Sequence, residues 1–172
     1  MTQMERKQQA LAEAKRLSRT NGTGFSLHNV RELLITKGFT QEEADYVLEH
    51  LDVDYKQVAL ACAEFDAVES RLSKEKIREY LDAQGFTEEE VTFAMINLPL
   101  KDFKENALLQ ALWRLDEYHY PKSIIYNQLI AKDWFTEEEA QYAIKNLDEV
   151  VAEREKRKQI LSDKKNTDIS DA

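Results

Sequence analysis

Glycine and proline are scarce in this chain, four and two of 172 residues. That leaves few places for the chiral turns that sheets need and fits long helices joined by short connections. Cysteine is scarcer still. Cys62 stands alone, which excludes an internal disulfide and a thiolate cluster for zinc. Its setting, Leu60-Ala61-Cys62-Ala63 on an apolar helical face, predicts a buried and inert thiol. No apolar run approaches the roughly 20 residues of a membrane span. The first ten residues carry charge without the apolar stretch or small-residue cleavage site of an export signal, so a cytoplasmic location is the default expectation. Basic residues are a minority, 24 against 33 acidic, and the net charge of −9 disfavours attraction to a phosphate backbone. Arg154, Lys156, Arg157 and Lys158 do cluster, but Glu153 and Glu155 interrupt them. A basic or amphipathic protein partner is the easier inference.

Catalytic motifs are missing as well. His28, His50 and His119 lie in three unrelated contexts with no HExxH, and no Gly-rich phosphate loop occurs. The runs Glu42-Glu43, Glu88-Glu89-Glu90 and Glu137-Glu138-Glu139 lack the alternating oxygen ligands and glycine of a calcium loop. The reading is therefore of a non-enzyme, with no catalytic, cofactor-binding or metal residue assigned.

What the chain does have is one phrase repeated: Gly38-Phe39-Thr40, Gly85-Phe86-Thr87 and Trp134-Phe135-Thr136, each followed by acids. Spacings of 47 and 49 residues between the phenylalanines belong to stacked helical units. Each threonine stands three residues before a glutamate (Glu43, Glu90, Glu139), which is the capping box of a helix N-terminus. Apolar residues follow at i, i+3, i+4 and i+7: Ala44, Val47, Leu48, Leu51; Val91, Ala94, Met95, Leu98; Ala140, Ala143, Ile144, Leu147. Tyr46, Phe93 and Tyr142 flank these stripes, more as packing between repeats than as ligand contacts.

Upstream of each phrase a shorter helix opens at Ser26, Ser73 or Pro121. Gly38 and Gly85 come four residues after Leu34 and Leu81 and close the first two of these helices in the left-handed conformation. Four residues after Leu129 stands Asp133, so the third copy reads as Asp in place of Gly with Trp134 inserted. Trp134 is then either an exposed anchor for a partner or a cover over the last repeat's core. Longer helices over 54–68 and 102–117, both opened by Asp and an aromatic, precede the second and third short helices, with a version around Gln9–Leu17.

The expected fold is all-α: tandem three-helix, helix-turn-helix-like repeats stacked in an elongated or curved array. One domain, 1–161, would hold repeats at about 5–51, 52–98 and 100–147 and a capping helix at about 149–161. A disordered tail would occupy 162–172.

The unit Asp54-Tyr55-Lys56-Gln57-Val58-Ala59 through Glu64-Phe65, then Leu72-Ser73, then Gly85-Phe86-Thr87-Glu88-Glu89-Glu90, resembles the Ltp-type host cell surface-exposed lipoprotein repeat of Gram-positive bacteria and their phages. The third copy matches best, through Ile125-Tyr126-Asn127-Gln128-Leu129, Glu137 to Leu147, and Asn106-Ala107-Leu108. The resemblance covers residues 8–150. It implies a tandem helical module that binds protein and, in phage-borne members, superinfection exclusion by blocking DNA entry, with the tape measure protein as target. Such members carry a signal and a lipidated cysteine and commonly two repeats; here three repeats stand and Cys62 lies within a helix. A weaker resemblance, to RecX, implies a cytoplasmic regulator of the RecA filament. The partner-binding candidates are Trp134, Asp133, Tyr142, Glu89 and Glu138, the acids forming a periodic negative stripe matched to a basic partner.

Overall fold

The computed structural model describes residues 2–17 and 25–170, with side chains to 161. Among the described residues there are nine helices and no strand. The chain divides into two compact units, Met1–Lys101 and Asp102–Ala172, where the sequence reading expected a single domain. The first holds two three-helix repeats and the second holds one.

In the first repeat α1 (Gln3–Leu17) and α3 (Gln41–His50) pack on each other and on the short α2 (Leu27–Thr36). Their shared core is Ala10, Ala14, Val30, Leu34, Ala44 and Val47. Three of these are alanines, whose small side chains let the helices approach closely. The second repeat, α4 (Tyr55–Val68), α5 (Lys74–Ala83) and α6 (Glu88–Asn97), buries Ala59, Cys62, Ile77, Leu81, Phe86 and Val91. Burial, together with the nearby Asp66 carboxylate, pushes the Cys62 thiol up to about 11, and that accords with the inert cysteine expected from sequence. In the second unit α7 (Lys104–Tyr118), α8 (Lys122–Ala131) and α9 (Glu137–Ser170) enclose Ala107, Ala111, Ile125, Leu129, Phe135 and Ala143.

The caps follow the sequence. Thr40, Thr87 and Thr136 each accept from the backbone N–H of the glutamate three residues on, and that glutamate accepts from the threonine N–H at 2.8, 2.8 and 2.9 Å. Ser26 and Ser73 cap α2 and α5, while Pro121 opens α8 through its fixed φ alone. Asp54 caps α4; α7 begins one residue later than the parallel predicts, yet the Asp102 carboxylate still accepts from the Lys104 N–H. Gly38 and Gly85 are left-handed, at φ +89° and +80°. The phenylalanine N–H after each turn closes on the same leucine of the short helix: Phe39 on Leu34, Phe86 on Leu81, Phe135 on Leu129.

Two expectations change. The left-handed residue of the third turn is Trp134, at φ 57°, so tryptophan replaces the glycine and Asp133 is the inserted residue. The register is set by the fixed Phe135-Thr136 end of the turn, not by the helix before it. The capped helix of the third repeat also does not stop near 148: α9 is continuous from Glu137, taking in the separate closing helix expected over 149–161, and its backbone is helical to Ser170. The first two capped helices end at Leu51 and at Leu98, the latter before Pro99, which disfavours helix in the residue ahead of it. No glycine or proline follows Leu147. Arg154 holds the extension to α7 through two bonds with Asp116, at 2.6 and 2.7 Å.

Candidate functional site

The acidic helix starts are already engaged within their own repeats. Lys7, Lys56 and Lys104 stand at one register position at or near the start of the long helices, and their ammonium groups meet Glu42, Glu89 and Glu138 at 2.8, 2.6 and 2.7 Å. The lysine hydrogen bonds hold the Glu42 and Glu89 carboxyls below the usual range. Such exposed pairs stabilise little, but they set a lysine against both Glu89 and Glu138 of the expected negative stripe. The next glutamate of the first repeat is more tightly held. Glu43 is buried, takes the Arg6 guanidinium at 2.6 Å and the Thr40 N–H at 2.8 Å, and has its carboxyl lowered from 4.5 to about 2, chiefly by Arg6. A carboxyl depressed in the folded state contributes stability above its unfolded value, and that contribution is lost as pH falls. Thermal stability should therefore decline between pH 4.5 and about 2, and a Glu43→Gln variant should show a shallower decline across that window than the parent. Equal slopes in the two melting series would remove Glu43 from the account.

Tyr142 is half-buried and donates its hydroxyl to Glu105 at 2.6 Å, and in the first repeat Gln8 donates to the hydroxyl of the equivalent Tyr46 at 3.0 Å. Glu105 also raises the Tyr142 phenol above its ordinary value. These tyrosines thus fasten the long helix to the capped helix of the same repeat. The histidines serve local structure: His50 stacks on Tyr46 with centroids 4.0 Å apart, and His119 takes a left-handed φ of 52° at the end of α7.

Around Asp133 the structure assembles a group that the sequence did not announce. Arg114 of α7 is buried, its side chain 8% exposed, and its Nη2 donates to Asp133 Oδ2 at 2.6 Å. Its Nε donates to Gln128 Oε1 at 3.0 Å, and Nη1 donates to Gln110 O and Oε1, both at 3.1 Å. The guanidinium lies 5.5 Å from the Trp113 ring centroid. Asp133 is thus a structural anchor that fixes the turn. The two tryptophans beside this ion pair, Trp113 and Trp134, are 48% and 43% exposed. From Trp113 the aromatic surface continues to Tyr118, edge-on at 5.2 Å, and on to Tyr120, stacked at 5.3 Å. One signal for this group lay in the sequence: Arg114 falls on the buried stripe of α7, three residues after Ala111 and seven after Ala107.

The Trp113 ring lies against the Arg114 guanidinium and Trp134 directly follows Asp133, so two half-exposed indoles adjoin the ion pair. Among the described residues no group of three or more His, Cys, Asp or Glu could hold a metal ion, and no helix is long and apolar enough to cross a membrane.

The model of the host cell surface-exposed lipoprotein family Ltp matches residues 5–51 and 102–147, the first and third repeats. Among solved structures the chain is similar to Ltp, a superinfection exclusion protein from the Streptococcus thermophilus temperate phage TP-J34, at 29% identity and a TM-score of 0.51, over 55% of this chain and 97% of that one. No curated protein matches the chain. With a family match to two complete three-helix repeats, and the same helical fold in that phage protein, the chain belongs to the host cell surface-exposed lipoprotein family of the Ltp type.

Proposed function

We propose that this protein acts in phage superinfection exclusion or counter-defence by binding and inhibiting a protein partner through the Trp113 and Trp134 surface of the second unit. Family membership supports the phage-related part of this reading. The observation that carries the binding part is Trp134 itself. A left-handed φ of 57° disfavours any side chain by roughly 1–2 kcal/mol relative to glycine, and the two sister turns use glycine at this position. Strain of this kind is kept where the strained residue has work to do.

Trp134→Gly separates binding from packing. A tryptophan kept for a partner should leave the folded protein as stable or up to about 1 kcal/mol more stable when replaced by glycine, while protection of a Gram-positive host against phage challenge is lost. A tryptophan kept as a cover for the core would instead lose stability in the glycine variant. Trp113→Ala should lose protection alongside it, since removing an interface tryptophan weakens binding by about 2 kcal/mol, or about 30-fold. Full protection by a folded protein lacking both tryptophans would overturn the proposal.

A further inference from the structure

The middle repeat lies in 52–101, the stretch that the family model leaves unmatched, and it contains an open hollow of about 590 Å³ between α5 and α6. Met95 and Ile96 line it, with Thr92 beside them, and Lys74, Arg78 and Lys101 supply cations to its rim. Ile96 is 68% exposed, the most exposed of the large apolar side chains described. Its register position holds Glu49 in the first repeat and Lys145 in the third, so helix formation and packing of the repeat do not require an apolar residue there. Lys101 is equally particular to this repeat. The connection leading to the next long helix reads Asp52-Val53 after the first repeat and Pro99-Leu100-Lys101 after the second.

The rim charges are not all equivalent. Arg78 is engaged by Glu88 at 2.5 Å, and Glu75 opposes the cations from the first turn of α5. The Lys101 ammonium donates to the Ile96 carbonyl at 3.0 Å, which holds a positive charge at the end of α6 beside the exposed isoleucine. Lys74 has no ion pair among the described residues. The hollow therefore offers a fixed cation, a second cation and an uncovered apolar side chain, in a chain whose net charge is −9. A groove between two helices with this lining accepts the apolar face of a helix whose other positions carry acids.

We propose that the α5/α6 hollow is a docking site for an acidic amphipathic helical segment of a partner protein, its leucine-like side chains over Met95 and Ile96 and its carboxylates at Lys101 and Lys74. This site uses none of the residues of the tryptophan surface. The probe is a labelled synthetic helical peptide with leucine at i, i+3, i+4 and i+7 and glutamate elsewhere, titrated into the full chain and followed by fluorescence anisotropy. Saturable binding should weaken about tenfold in Ile96→Ser and again in Lys74→Glu/Lys101→Glu, and should weaken with added salt in the parent. All these side chains lie at the surface, so unchanged helical ellipticity shows that the variants fold, and Trp134→Gly should bind the peptide as the parent does. The proposal fails on any of three results: no binding by the parent, equal binding of the peptide with lysine in place of glutamate, or affinity unaffected by the substitutions. It fails also if phosphatidylglycerol vesicles bind in an Ile96-dependent way while the peptide does not, because a lipid surface would then be the occupant.

Discussion

Arg114→Ala is expected to destabilise the second unit by about 3 kcal/mol, because removing one member of a buried ion pair leaves the other member's charge uncompensated. The guanidinium makes four hydrogen bonds, to Gln128, to both oxygens of Gln110 and to Asp133, and alanine makes none of them. Asp133 would be left as a carboxylate whose side chain is only 23% exposed, at the inserted position of the turn. The chain's two tryptophans, Trp113 and Trp134, both belong to the unit Asp102–Ala172, so tryptophan fluorescence follows the unfolding of that unit. The urea midpoint read by fluorescence should fall sharply in Arg114→Ala and recover partly in Arg114→Met/Asp133→Asn, where an apolar side chain of similar length meets a neutral one. A loss below about 1 kcal/mol would mean that the network is replaced by water at little cost, and the turn would then not depend on Arg114.

How much of this was legible depends on how far apart the interacting groups lie in the chain. Capping boxes join residues three apart, so Thr40, Thr87 and Thr136 disclosed their helices directly. The glycine turns were equally local, since Gly38 and Gly85 each follow an apolar stripe by a fixed count. The third turn was misread because counting forward from Leu129 puts Asp133 where glycine stood, whereas the backbone fixes the register from Phe135 backward. The lysine ladder spans 35 residues from Lys7 to Glu42 and 33 from Lys56 to Glu89. Nothing local links such partners, yet the threefold repeat aligned them and the pairing was open to inference from that alignment. Arg114 and Asp133 had no such help, because the residues at the register of Arg114 are Leu17 and Asp66 in the other repeats. Their pairing is non-local and occurs once. The continuity of α9 had a negative signal only, the lack of glycine and proline after Leu147, and chain-breaking composition is easier to notice than its absence.

Gly85→Ala is expected to destabilise the first unit by about 2–3 kcal/mol, and comparison with Gly38→Ala shows why the figure exceeds the ordinary penalty for a left-handed alanine. Both glycines have positive φ, +89° and +80°, so both substitutions carry the roughly 1 kcal/mol backbone term. A Cβ added at Gly38 meets nothing within 4 Å. At Gly85 it would stand 2.9 Å from His28 Cδ2 and 3.0 Å from His28 Cβ, and the latter atom cannot swing aside without moving α2. Moving α2 would also strain the adjoining bond, in which the buried Ser26 hydroxyl donates to the Gln84 carbonyl at 2.5 Å. This is where the first and second repeats meet. The excess should therefore vanish in a double-mutant cycle with His28→Gly, which removes the opposing Cβ, after the helix cost of the new glycine is subtracted. Because neither tryptophan lies in this unit, its stability is read from far-UV ellipticity and from amide exchange of α2 and α5. If Gly85→Ala proved no worse than Gly38→Ala, or if His28→Gly failed to relieve it, the joint would have room that the close approach of Gly85 to His28 denies.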